Sequence, residues 1–151
     1  MGIPDLRELA RFLIRLSAAI LFGALVGYER ERKGKAAGLR THMLVALGSA
    51  LMVVASQQFG MSSEGLSRVV QGIVTGIGFV GAGAVLKMRD DRQIEGLTTA
   101  ASIWLTSGIG ISVGLGGLGL GMASTVFSLI ILAFLLPVER AVGKSTHAEK
   151  G

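Results

Sequence analysis

Residues 67–87 read SRVVQGIVTGIGFVGAGAVLK. Between Arg68 and Lys87 nothing is charged, and the run is long enough to cross the hydrocarbon core of a bilayer as a helix. Gly72, Gly76, Gly78, Gly81 and Gly83 interrupt it. In water each glycine would weaken a helix by roughly 1 kcal/mol relative to alanine. In lipid the backbone hydrogen bonds hold the helix regardless, and the missing side chains let neighbours come close. Small on nearly every side, this stretch is expected to be the central packing helix of an all-α membrane bundle.

The rest of the composition agrees with a membrane class. Half of the 151 residues are hydrophobic, 17% are charged, 23 are glycine and two are proline. The chain has no cysteine, which excludes disulfides, thiolate metal sites and cysteine nucleophiles. A net charge of +5 could point to nucleic acid. The basic residues, however, lie in short clusters between apolar runs, as they do in the cytoplasmic loops of membrane proteins. No nucleic-acid partner and no cofactor are expected.

Working outward, the N-terminal segment is amphipathic before it turns apolar, with Arg7, Arg11 and Arg15 on one helical stripe. The first span ends at Glu29, about 21 Å from Arg15 at 1.5 Å per residue. Arg15 either snorkels to the outer interface or faces a polar cavity within the bundle. The loop ERERKGKAAGLRTH, residues 29–42, is the most basic in the chain and is read as cytoplasmic. A second span, about 41–59, leads out, and the glycine-rich span returns. That span ends in KMRDDRQIE, residues 87–95. A fourth span covers about 97–115. After a glycine turn, a fifth covers about 118–136 and stops at Pro137. The expected fold is thus a polytopic bundle of about five transmembrane helices, residues 1–137, with a short polar, loosely ordered cytoplasmic tail, residues 138–151. With the N-terminus outside and the C-terminus inside, only Arg7, Arg11, Arg15 and Arg68 of the fifteen Lys and Arg residues stay at the outer side.

A shift of 58 residues superposes span, basic loop and span on their counterparts. It matches Gly23 with Gly81, Ala24 with Ala82, Gly38 with Gly96, Leu39 with Leu97, Thr41 with Thr99, Leu47 with Leu105 and Ser49 with Ser107. The expectation is a pair of parallel helical hairpins related by an axis along the membrane normal.

The run Gly76, Gly78, Gly81 imitates a nucleotide fingerprint, but it lacks the strand-to-helix setting that makes such a motif work. The pairs Gly23–Gly27, Gly72–Gly76, Gly110–Gly114 and Gly117–Gly121 read instead as helix contacts, together with Gly78, Gly81 and Gly83. On the cytoplasmic face, Glu29, Arg30, Glu31, Arg40, Thr41, His42, Thr98 and Thr99 gather where basic loops meet spans two and four. The threonines are placed to cap helix starts, and the set serves either as capping and anchoring or as a ligand or partner site. A second polar set, Arg15, Glu64, Arg68, Gln71, Thr75 and Ser102, is assigned to the outer side and the bundle interior. The spans proper show no carboxylate, so a magnesium path, which needs dense oxygen ligands, finds little support. No serine–histidine–acid set or metal-binding histidine cluster occurs, and catalysis is not expected.

The phrases ALVGYERERKGKAAGLRTHMLVALGSAL, SRVVQGIVTGIGFVGAGAVLK and IEGLTTAASIWLTSGIGISVGLG together resemble the MgtC/SapB family, over about residues 12–135. The resemblance implies a multi-pass bacterial inner-membrane protein, in the short form without a soluble C-terminal domain. It also implies a link to magnesium homeostasis or stress adaptation through binding and regulating another membrane complex, with F-type ATP synthase as the family's example. A homodimer through small-residue faces fits that picture. The alternative is an ion or small-solute transporter whose path runs between hairpins past Arg15, Gln71, Thr75 and Ser102. Family members usually carry an acidic residue three positions before the arginine of SRVVQ; here that position is Gly65, beside Glu64.

Overall fold

The computed structural model describes the backbone of residues 5–86 and 93–148, and side chains among these except at 93–95 and 134–148. Five helices follow in order: α1 Leu6–Arg32, α2 Leu39–Gln58, α3 Ser63–Leu86, α4 Gln93–Gly114 and α5 Leu118–Ala148. The first four are long and apolar enough to cross a membrane, and the apolar part of α5 described in full is Leu118–Ala133. The chain is therefore a polytopic helical bundle. The basic segment 87–92 lies outside the described residues. The three described connections are short, and in them Gly34 (φ 65°), Gly60 (φ 67°) and Gly116 (φ 96°) take the left-handed conformation that a side chain would strain.

The middle of the bundle belongs to α4 and α2. Of its membrane-crossing stretch, α4 buries 56% and α2 39%, whereas α3 buries 6%. The contacts that close the centre are made by small residues. A Cβ built on Gly23 would stand 2.6 Å from the His42 carbonyl oxygen, and one on Gly27 2.7 Å from Leu39 Cα. One on Gly114 would lie 2.9 Å from the Ala50 carbonyl, and one on Gly110 would collide with the Ala46 carbonyl. Backbones at this distance leave room for no side chain, and dispersion and close packing hold such helices together in lipid. Ala19, Val26, Ala46, Ala50, Ile109 and Val113 fill the remaining space as one buried cluster.

The glycine-rich stretch is thus not the central helix. Gly72, Gly76, Gly78 and Gly83 meet nothing within 4 Å, and Gly81 alone lies against a neighbour, at 3.5 Å from Ala100 Cβ. Nor does α3 pair with α1; its described contacts are with α4 and, less extensively, α2. The physical reason is that glycine permits close approach without compelling it. What drives a helix inward here is polar cargo. Buried Thr99, Ser102, Thr106 and Ser107 all ride on α4, while α3 exposes Val74, Phe79, Val80 and Leu86, a mostly apolar surface that is stable facing lipid.

Two further expectations change. Pro137 does not end the fifth helix, which continues to Ala148 through the segment read as a loose tail. Proline lacks one N–H and so removes one helical bond, which a long helix can absorb. Thr98 and Thr99 are not helix caps, because α4 begins at Gln93, more than a turn earlier.

The 58-residue repeat is visible in the packing. The pairs α1·α2 and α3·α4 are the two hairpins, α2 and α4 meet each other, and the cross pairs α1·α4 and α2·α3 are both present. Ser49 and Ser107, equivalent under the shift, share a hydrogen bond of 2.8 Å. Two equivalent residues can touch in this way only beside the axis that relates them. Gly23 on the backbone around His42 has its counterpart in Gly81 on Ala100, again 58 residues on.

Candidate functional site

A polar seam runs between α1, α2 and α4. At its basic-loop end stands Arg30, 1% exposed and one of the largest wholly buried side chains of the bundle. It belongs to the last turn of α1, the end of a helix at which a positive charge is favoured. Arg30 Nη2 donates to Thr99 Oγ1 at 3.0 Å. One turn on, Ser102 Oγ donates to the Thr99 carbonyl at 2.8 Å, and Thr106 Oγ1 to the Ser102 carbonyl at 2.8 Å. The spacing 99, 102, 106 keeps these hydroxyls on one face of α4.

His42 enters the seam from α2. Its Nδ1 lies 2.9 Å from the Gly38 carbonyl and its Nε2 3.2 Å from Ser102 Oγ. Because Ser102 already donates its proton to Thr99, its oxygen is available to accept from Nε2. Nδ1, however, faces a carbonyl, which can only accept. With Ser102 donating to Thr99, both contacts are satisfied when both ring nitrogens carry a proton. In the neutral ring one of them is weak or requires the serine hydroxyl to turn. The Ser49–Ser107 bond continues the seam toward the opposite end.

Around the mouth of the seam the acids have other tasks. Glu31 Oε2 accepts from the Leu39 backbone N–H at 2.7 Å, capping α2 in place of the glycine that precedes it. Glu29 pairs with Lys33, whose Nζ also donates to the Leu132 carbonyl at 2.7 Å and so ties α1 to α5. Both oxygens of Glu29 are shielded from solvent. A cavity of about 130 Å³ lies beside the seam between α1, α4 and α5, lined by Val26, Ser102, Leu105, Ser128 and Leu132 among others.

Of the residues assigned to the cytoplasmic face, the structure brings Arg30, His42 and Thr99 into this seam, and leaves Arg40 exposed and Thr41 and Thr98 partly exposed. The set assigned to the outer side does not assemble. Ser102 belongs to the seam. Glu64 and Arg68 form an exposed pair on α3, and Thr75 Oγ1 merely donates back to the Gln71 carbonyl of its own helix. Arg15 stands apart at the opposite end, where Nη1 donates to Gln57 Oε1 at 2.8 Å and to the Gly114 carbonyl at 3.0 Å, closing the end of α4. Gln57 and Ser107 were missed as partners. The 58-residue shift that pairs Ser49 with Ser107 was the one sequence signal for the latter; nothing local marked Gln57. Among the described residues, no three or more His, Cys, Asp or Glu side chains are grouped so as to hold a metal ion.

Comparison with known proteins bears on the same region. The chain is 40% identical over 148 residues to "Putative magnesium transporter YhiD" of Escherichia coli K12, covering 93% of this chain and 68% of that protein. It is 44% identical to "Protein SrpB" of Synechococcus elongatus, covering 83% and 75% respectively. It is 42% identical to "Protein MgtC" of Salmonella typhimurium LT2, covering 86% of this chain and 54% of that one. No solved structure matches it. The sequence pattern of the MgtC family matches residues 16–141, the stretch that holds all five helices but the first turns of α1 and the end of α5, and the chain belongs to the MgtC family.

Proposed function

We propose that this chain is a non-enzymatic inner-membrane protein of magnesium homeostasis or stress adaptation, acting by binding and regulating another membrane complex, with an F-type ATP synthase as the target the family resemblance suggests. The name of the Escherichia coli relative, "Putative magnesium transporter YhiD", supports the magnesium link. The observation that carries the binding mode is the state of α3, a full-length membrane helix with Gly72, Gly76, Gly78 and Gly83 open to whatever stands beside it. Glycine-lined surfaces on membrane helices are where other helices approach. The basic loop after α1 faces the cytoplasm in this reading, with the N-terminus outside and the C-terminus inside.

The test is extraction in mild detergent with a photo-crosslinker placed on α3, followed by identification of what is attached. Attachment of ATP synthase or another defined membrane complex, lost when Gly76 is replaced by leucine, is the expected result. Recovery of a second copy alone would reduce the reading to a homodimer, and repeated recovery of nothing specific would end it.

A second reading, transport of an ion or small solute, draws on the polar seam. Buried hydroxyls, an imidazole and a guanidinium inside a membrane bundle are costly and by default suggest function. The seam offers few of the carboxylates that a strongly hydrated dication prefers. Flux in reconstituted liposomes, abolished by Ser102→Ala or Thr99→Val, would favour it; absence of flux for magnesium and for common anions would remove it.

A further inference from the structure

At the end of the bundle opposite the basic loop, α1 and the end of α2 enclose a pocket of about 190 Å³ lined by Glu8, Arg11, Phe12, Arg15, Gln57 and Gln58. Nothing in the function proposed above uses it. Arg15 spends only Nη1, on Gln57 Oε1 and the Gly114 carbonyl. Arg11 spends only Nε, on the Arg7 carbonyl of its own helix. Two guanidiniums thus keep N–H donors for a ligand, and Gln57, whose oxygen is taken, keeps its amide N–H groups. The Glu8 carboxylate pairs with neither arginine, although the three share one pocket.

We propose that this pocket binds a phosphoester carrying a primary ammonium, supplied by the headgroup of a phospholipid of the phosphatidylethanolamine type. The free guanidinium donors suit the phosphate, for which arginine has the matching planar fork. Glu8 suits an ammonium with N–H groups to donate. The location suits a lipid. At 27 residues α1 is about 40 Å long, roughly 10 Å more than the hydrocarbon core, and the charges of Arg7, Glu8 and Arg11 suit its first turns to the headgroup layer. Exposed Leu9, Leu13 and Ile14 on the same turns give acyl chains a surface to follow.

The experiment is native mass spectrometry of the full chain, delipidated in detergent and titrated with phosphatidylethanolamine, phosphatidylglycerol and phosphatidylcholine of matched acyl chains. Phosphatidylethanolamine should bind roughly tenfold more tightly than either of the others, as loss of one charge-assisted hydrogen bond implies. Glu8→Gln should erase that preference and leave phosphatidylglycerol binding intact, whereas Arg11→Gln should weaken all three. Both side chains are exposed, and an unchanged thermal midpoint in detergent will show that each variant folds. Equal binding of the three lipids by the parent chain, or indifference to both substitutions, overturns the proposal. Soluble O-phosphoethanolamine is the competing arm. If it displaces lipid at the same concentration, the acyl chains contribute nothing and the lipid assignment falls.

Discussion

The two hairpins of this bundle share a plan and differ in how tightly they are closed. In the α1–α2 hairpin, Gly23 and Gly27 press on the backbone of the partner helix, with no space for a methyl group. In the α3–α4 hairpin, the equivalent Gly81 rests at ordinary van der Waals distance from Ala100, and Gly72, Gly76, Gly78 and Gly83 meet nothing within 4 Å. The fifth helix deepens the contrast. It packs on α1 and α4, whereas the groove related to that one by the repeat, between α2 and α3, has no such cover among the described contacts. One duplicated plan has thus yielded a closed half and an open half. Glycine content does not tell them apart; the helix with more glycine is the looser one.

The sharpest test of this contrast exchanges one hydrogen for a methyl group at the two equivalent sites. Gly23→Ala forces α1 and α2 apart, because the new methyl group meets a carbonyl oxygen that cannot swing away. Overpacking of this kind costs about 2–3 kcal/mol, and Gly110→Ala, which collides with the Ala46 carbonyl, should cost at least as much. Gly81→Ala should be neutral or stabilising by up to about 1 kcal/mol through helix propensity. Thermal midpoints of the purified variants in one detergent provide the measure. Equal losses at Gly23 and Gly81 would show that the halves are equally closed and would dissolve the contrast.

The next effect concerns the seam, which both hairpins build but unequally, since Arg30 and His42 come from the first and Thr99 and Ser102 from the second. Thr99→Val preserves shape and deletes the hydroxyl that receives the buried guanidinium. A hydrogen bond to a charged group is worth about 1.5–3 kcal/mol, so a loss near the lower end of that range is expected in the same melting assay. The equivalent change in the first hairpin, Thr41→Val, touches a residue with no described side-chain partner and should move the midpoint little. A larger loss at Thr41 than at Thr99 would reverse the assignment.

The sequence made the spans readable, because uninterrupted apolar runs bounded by charge have few other uses. The repeat was readable too, since matched glycine, threonine and serine positions survived in both units. What could not be read was which helix lies inside. A glycine written in a sequence looks the same whether a backbone presses against it, as at Gly110, or nothing does, as at Gly76. Arg30 was legible as a candidate site residue but not as a buried one: it sits in a run of charges that reads as a cytoplasmic loop, yet the last turn of α1 carries it inward. Ser102 lies with His42 and Thr99 and not beside Arg15, Glu64 or Arg68, and depth along α4 is not readable without its start at Gln93. Gly65, where the family resemblance leads one to expect an acidic residue, lies in the first turn of α3, where an added Cβ would meet Met61 and Ser62 no closer than 3.4 Å. Gly65→Asp should therefore be accommodated, with a gain of about 0.3–1 kcal/mol from the helix dipole.

A smaller effect probes the axis itself. Ser49 and Ser107 are equivalent by the repeat and bonded to one another. A double-mutant cycle of Ser49→Ala and Ser107→Ala should give a coupling of about 0.6 kcal/mol, the usual worth of such bonds between membrane helices. A coupling of zero would mean that the two serines do not meet, and the two-fold arrangement would lose its most direct support.

The smallest effect on stability belongs to α3, and there the size is the point. Gly72→Ala and Gly76→Ala add methyl groups where nothing stands within 4 Å, so the isolated chain should keep or slightly raise its thermal midpoint. If the open face exists to receive another helix, the same methyl groups will separate that partner by enough to forfeit much of the dispersion that binds it. Association measured in the membrane should then fall while the fold is untouched. A fall in stability would place α3 inside a tighter bundle than the one described. Unchanged stability together with unchanged association, even for Gly76→Leu, would leave the open half of the repeat as lipid-facing surface and nothing more.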